Sequence, residues 1–136
     1  MRIEASAFFL CGWYWYLLLD KSGAASVLFG SMLLHECGHL LVLWGMRVPV
    51  RAIRFTINGI LIEAPRHLER KRELAALLGG CICNLAAAGL AAMCHAKQIC
   101  LINLFLGLFH LLPFPGLDGG SILALFREKT EEKAEG

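Results

Sequence analysis

The sequence predicts an all-α membrane protein. It has four transmembrane helices, a membrane-associated β-hairpin between the second and third, and a last helix broken at a proline–glycine motif. Three observations carry this expectation. Hydrophobic residues make up 57% of the chain, and the mean hydropathy of +0.61 is too apolar for an ordinary soluble domain. The apolar residues gather into four runs of roughly span length. The basic residues crowd into alternate links between those runs, as membrane topology requires. At 136 residues the chain holds one domain at most.

The first run covers residues 3–19. Its cluster Trp13, Tyr14, Trp15 and Tyr16 suits a membrane interface. No small-residue cleavage site precedes a polar stretch, so a retained span is expected rather than a signal peptide. Arg2 and Glu4 leave it barely long enough to cross. A tight link, residues 20–23, leads into the second run at 23–46. The third, residues 74–94, reaches about 31 Å as a helix, enough for a bilayer core. The fourth, residues 99–126, is longer than a span needs and is interrupted by Pro113, Pro115, Gly116, Gly119 and Gly120. Broken helix is tolerated inside a membrane where it lines a buried cavity. The mixed-charge tail, residues 127–136, reads as a solvated helix end or as disorder.

Between the second and third runs, Asn58-Gly59 is the preferred pair for a two-residue type I′ turn. Counting outward from it pairs Ile57 with Ile60, Thr56 with Leu61, Phe55 with Ile62 and Arg54 with Glu63. One face is then wholly apolar: Ile53, Phe55, Ile57, Ile60, Ile62 and Ala64. A lone hairpin is marginal in water, so this face is expected to pack into the protein or dip into the bilayer edge. The same long link carries Arg47, Arg51, Arg54, Arg66, Arg70, Lys71 and Arg72, whereas the two opposite links carry only Lys21 and Lys97. With Arg2 and the tail's Arg127, Lys129 and Lys133 on the side of the long link, both termini and that link are expected in the cytoplasm. The domain organisation expected is a first helix and link over residues 1–22, a core over 23–126 and a cytoplasmic tail over 127–136.

The chemistry centres on His35-Glu36-Cys37-Gly38-His39, an HExxH pattern inside the second run. Residues four apart share a helix face, so His35 and His39 can offer two imidazoles to one zinc ion, with Glu36 placed as general base. Two histidines and a carboxylate within a membrane span cost several kcal/mol unless something pairs them, which argues against a chance match. Six cysteines are present, mostly within apolar runs, where cysteine packs as a small apolar residue. Cys81 and Cys83 diverge on a helix, so no metal role is expected of them. His67 and His95 read as surface histidines. A catalytic zinc site takes three protein ligands and an open position. Asp118, a carboxylate at the break in the last run, can lie at a depth similar to the HExxH pattern.

Pro113, Pro115, Leu117, Asp118 and Gly119 resemble the NxxPxPxLDG-like motif of the site-2 proteases, the intramembrane zinc metalloproteases. Gly80-Cys81-Ile82-Cys83-Asn84 resembles that family's GPxxN segment, with Cys81 in place of proline. The hairpin is similar to the family's membrane-associated β-hairpin, thought to hold substrate as an added strand. The resemblance covers residues 23–126. One departure is His110, which stands where the family has Asn. Lacking a PDZ domain in a loop or a regulatory domain after the last span, the chain is most similar to the compact sporulation-type branch.

The resemblance implies a zinc endopeptidase cutting a membrane-embedded or membrane-tethered protein near the cytosolic face. His35, His39 and Asp118 would hold Zn2+, Glu36 would be the general base, and Asn84 and His110 would hold substrate or stabilise the oxyanion. For Asn84 and His110 a polar group hydrogen-bonding between helices is the plainer alternative. Expected partners are a membrane protein substrate, the lipid bilayer and a regulatory membrane protein, with no nucleic acid. The family's substrates set an expectation of a transcription regulator or a sigma-factor precursor. Two alternatives stay open. One is a membrane zinc carrier, against which stand the four spans and the lack of an internal repeat. The other is a catalytically inactive substrate-binding relative.

Overall fold

A computed structural model describes residues 2–56, 59–63 and 68–134. In chain order the elements are β1 (Arg2–Ala5), α1 (Ala7–Leu19), α2 (Ala24–Gly45), β2 (Ala52–Thr56), β3 (Gly59–Glu63), α3 (Arg70–Met93), α4 (Lys97–His110) and α5 (Asp118–Ala134). Helices α2 and α3 follow the second and third apolar runs. At 22 and 24 residues, they are long and apolar enough to cross a bilayer. Most of their residues are not buried inside the protein, so these are not the enclosed core helices of a soluble fold. Trp44, Leu41, Ile82 and Leu90 all face outward.

Four complete spans are not what the structure shows. The first run divides: Arg2–Ala5 forms a strand, and α1 has only 13 residues, about 20 Å of helix. The cause is an available sheet edge. β1 pairs parallel with β2, from Arg2 opposite Ala52 to Ala5 opposite Phe55. The backbone N–H of Arg2 donates to the Arg51 carbonyl at 3.0 Å, and that of Ser6 donates to the Phe55 carbonyl at 2.8 Å. The expected hairpin is therefore the inner and outer strand of a three-stranded sheet ordered β1-β2-β3. This pairing sets β1 beside the long link that carries β2.

The hairpin register differs from the sequence expectation by two residues: Arg54 lies opposite Leu61, Phe55 opposite Ile60 and Thr56 opposite Gly59. A two-residue slip keeps every side chain on its face, so Ile53, Phe55, Ile60 and Ile62 still share one side. The proposed Asn58-Gly59 turn, Ile57 and Ala64 lie partly or wholly outside the described residues, as do Arg66 and His67. The apolar side packs on α1, with the Phe9 and Phe55 rings 5.4 Å apart. On the other side Arg54 still meets Glu63, at 3.1 Å, and also meets Glu4 on β1 at 3.0 Å. These exposed pairs tie the three strands together but contribute only about 0–1 kcal/mol each.

In the link between α1 and α2, the Asp20 carboxylate accepts from the Ser22 backbone N–H at 2.9 Å and from the Ala25 backbone N–H at 2.7 Å. Together with the Ser22 hydroxyl, the largest influence, these bonds hold its pKa below the usual carboxylate value. The bond from Ala25 also satisfies a donor at the start of α2 that has no partner within the helix.

Helix α3 is the centre of the bundle and packs most extensively on α4 and α2. The α2–α3 crossing is close because two glycines face each other. A Cβ on Gly38 would sit 2.5 Å from the Gly79 carbonyl oxygen, and one on Gly79 would sit 2.7 Å from that of Gly38. Small residues at such crossings let helix backbones touch in a membrane, where packing rather than water exclusion drives association. The fourth run breaks as expected, between α4 and α5. Pro113 and Pro115 bring no N–H and cannot continue α4, and Gly116 takes a left-handed φ of +90° that favours glycine. Gly119 and Gly120 then let the first turn of α5 lie against the backbone carbonyls of Leu111 and Phe114, where any Cβ would collide.

Candidate metal centre

The close α2–α3 crossing sets His35 and His39 against α3, and the tight return after α4 sets Asp118 against both. His35 is 2% exposed, His39 12% and Asp118 15%, so three polar side chains meet inside an apolar bundle. His35 Nε2 lies 3.0 Å from Asp118 Oδ2 and 3.1 Å from His39 Nε2. The third side of the triangle, His39 Nε2 to Asp118 Oδ2, is 3.5 Å. Donors held at about 2.0–2.1 Å around a tetrahedral zinc ion lie about 3.3 Å from one another. The donor set and its spacing therefore fit that ion.

Gly80 supplies the space. A Cβ there would fall 2.5 Å from His39 Nε2 and 2.6 Å from His35 Nε2, so the missing side chain leaves the face of the donor pair open on the α3 side. His39 is oriented from behind: its Nδ1 donates to the Ala76 carbonyl at 2.7 Å, which leaves Nε2 with the lone pair that a metal needs.

Each sequence-predicted residue can now be placed. His35, His39 and Asp118 come together. Glu36 is half-buried on α2, next to His35 in the chain. His110, at the end of α4, brings Nδ1 to 3.3 Å from Asp118 Oδ2 and its ring to 4.1 Å from that of His35. His35, His110 and Asp118 also form a potential metal-holding group by distance alone. Asn84 is fully buried, its amide nitrogen 3.4 Å from His35 Nδ1, on the ring edge away from Asp118. His95 is exposed in the turn after α3.

The sequence reading missed two contacts. The buried Cys81 thiol donates to Asp118 Oδ2 at 3.7 Å, and the Ala76 carbonyl orients His39. No sequence pattern marks a backbone carbonyl. Cys81 was visible as the residue in place of proline in the GPxxN-like segment, but on a helix whose rotation the sequence leaves open.

No family model matches the chain, and no curated protein matches it. Among solved structures, the site-2 protease from Methanocaldococcus jannaschii superposes with a TM-score of 0.72. The identity is 23%, over 90% of this chain and 63% of that one, so this chain spans less than two thirds of that neighbour's length. The likeness is one of fold, over 90% of this chain. The two long apolar helices have the length and composition that crossing a membrane requires.

Proposed function

We propose that this protein is an intramembrane zinc endopeptidase that cleaves a membrane-embedded or membrane-tethered protein near the cytosolic face. The observation that carries the reading is the His35–His39–Asp118 triangle, with sides of 3.0, 3.1 and 3.5 Å, inside a site-2 protease fold. Those three side chains would hold the ion. Zinc, when bound there, supplies a Lewis acid for the scissile carbonyl and makes water acidic enough to attack near neutral pH.

The chain's own residues do the rest. Glu36 takes the proton of the attacking water and delivers it to the departing amide nitrogen. His110, 26% exposed against 2% for His35, is the histidine more open to a bound substrate. It orients the substrate carbonyl or the oxyanion. The metal centre's burial excludes bulk water, which strengthens each of these interactions. β3 has one edge without a strand partner in the described sheet, and an extended substrate can add to such an edge.

Both termini and the long link between α2 and α3 lie in the cytoplasm on this reading, supported by the placement of basic residues and by β1 pairing with β2. The family's substrates set a sigma-factor precursor or transcription regulator as the expected substrate, and a regulatory membrane protein is the expected partner. Co-expression with candidate membrane-anchored regulators tests the activity. Cleavage by the wild type and none by Glu36→Gln supports it, and equal processing by both overturns it.

A further inference from the structure

We propose that Asn84 is a positioning residue for the metal centre. Its carboxamide oxygen accepts the Nδ1–H of His35 and so keeps His35 Nε2 bare for the ion. The inference rests on the zinc reading and assigns a role within that site.

A neutral imidazole has one protonated nitrogen and one lone pair, and the hydrogen bond at one nitrogen decides what the other can do. For His39 the decision is visible, since Nδ1 donates to the Ala76 carbonyl at 2.7 Å. His35 needs the same arrangement. Its Nε2 points to the shared centre, 3.1 Å from His39 Nε2 and 3.0 Å from Asp118 Oδ2, so the proton belongs on Nδ1. No backbone carbonyl is recorded at that nitrogen among the described residues. The group that meets it is the Asn84 side chain, 0% exposed, with its amide nitrogen 3.4 Å away.

As placed, that amide nitrogen presents a donor to Nδ1, which would leave the proton of a neutral ring on Nε2 and close it to a metal. The Asn84 oxygen meanwhile is buried with no partner among the described residues. Amide oxygen and nitrogen exchange places by a half-turn of the side-chain end, with no change of shape. That turn removes the mismatch at His35 and gives the oxygen a donor, and it puts the amide NH2 where the oxygen had no partner. The placement on α3 supports this role. Gly80 opens the Nε2 side of the histidine pair, and Asn84, one helical turn further along the same face, meets the Nδ1 side of His35. A side chain with no exposed surface is also poorly placed to touch substrate directly.

The test measures zinc affinity of the full chain in detergent, by competition with a chromophoric chelator, alongside thermal melting of the metal-free protein. Asn84→Leu keeps the volume and removes the acceptor. It should weaken zinc binding about 10- to 100-fold, the usual cost of losing such a partner, without lowering the metal-free melting temperature. Asn84→Asp keeps an acceptor and should hold zinc at least as well as the wild type. Asn84→Ala, which adds no bulk, should match the Leu variant. Wild-type zinc affinity in both the Leu and Ala variants overturns the proposal. So does an equal loss in Asp and Leu, which would mark a structural role only. A wild-type chain that binds no zinc overturns the metal reading itself, and this role with it.

Discussion

Gly80→Ala adds one methyl group where the structure leaves no room for it. The new Cβ would lie 2.5 Å from His39 Nε2, 2.6 Å from His35 Nε2 and 2.7 Å from His35 Cε1. That is about 1 Å inside ordinary contact distance. In the metal-free protein the two rings can yield, and the gain in helix propensity of about 1 kcal/mol offsets part of the strain. With zinc bound, both rings must keep their donor atoms at about 2.0–2.1 Å from the ion and cannot yield. The overpacking cost of about 1–3 kcal/mol then falls on metal binding. At about 1.4 kcal/mol per tenfold, zinc affinity should drop about 5- to 140-fold while the metal-free melting temperature changes little. Gly89→Ala is the control, on the same helix but with open space around its Cβ position. It should leave zinc affinity unchanged and, if anything, stabilise the helix. Chelator competition on the two purified variants decides the matter. Full zinc affinity in Gly80→Ala would refute the placement of the ion beside α3.

Asp118→Ala should lower both zinc occupancy and cleavage, read by metal analysis and product formation, and unchanged zinc content would move the third ligand elsewhere. Gly38→Val should destabilise the protein by about 1–3 kcal/mol, because its side chain meets the Gly79 carbonyl and the Cys83 Cβ; a melting temperature equal to the wild type's would contradict the close α2–α3 crossing. Proline at a β3 position whose N–H points away from β2 should impair cleavage but not zinc binding, and normal turnover along the whole strand would remove the edge from substrate recognition.

The residues of the candidate centre were legible because their signal is chemical: HExxH puts two histidines on one helix face, and a carboxylate beside two prolines marks the break in the last run. The long helices were legible from apolar length. The three-stranded sheet was not, since Arg2–Ala5 is continuous with an apolar run, and only the free edge of β2 turns it into a strand. The hairpin register escaped for a related reason. Alternation has a period of two and cannot tell one register from another shifted by two residues. Contacts such as Cys81 to Asp118, or Asn84 to the far side of His35, depend on how α3 is rotated against its neighbours. That rotation is set by the Gly38–Gly79 contact, which no local pattern announces.

The central claim is that the buried His35–His39–Asp118 centre holds zinc in order to cut a peptide bond. The direct measurement uses purified protein in proteoliposomes with a membrane-tethered candidate substrate, following zinc per chain, zinc crossing the bilayer and the new amino terminus of any product. The account predicts one zinc per chain in the wild type and in Glu36→Gln. It predicts a new amino terminus with the wild type, a rate about 10²- to 10⁴-fold lower with Glu36→Gln, and no zinc flux with either. Zinc moving across the bilayer with every substrate left intact would contradict it and make the centre a carrier's.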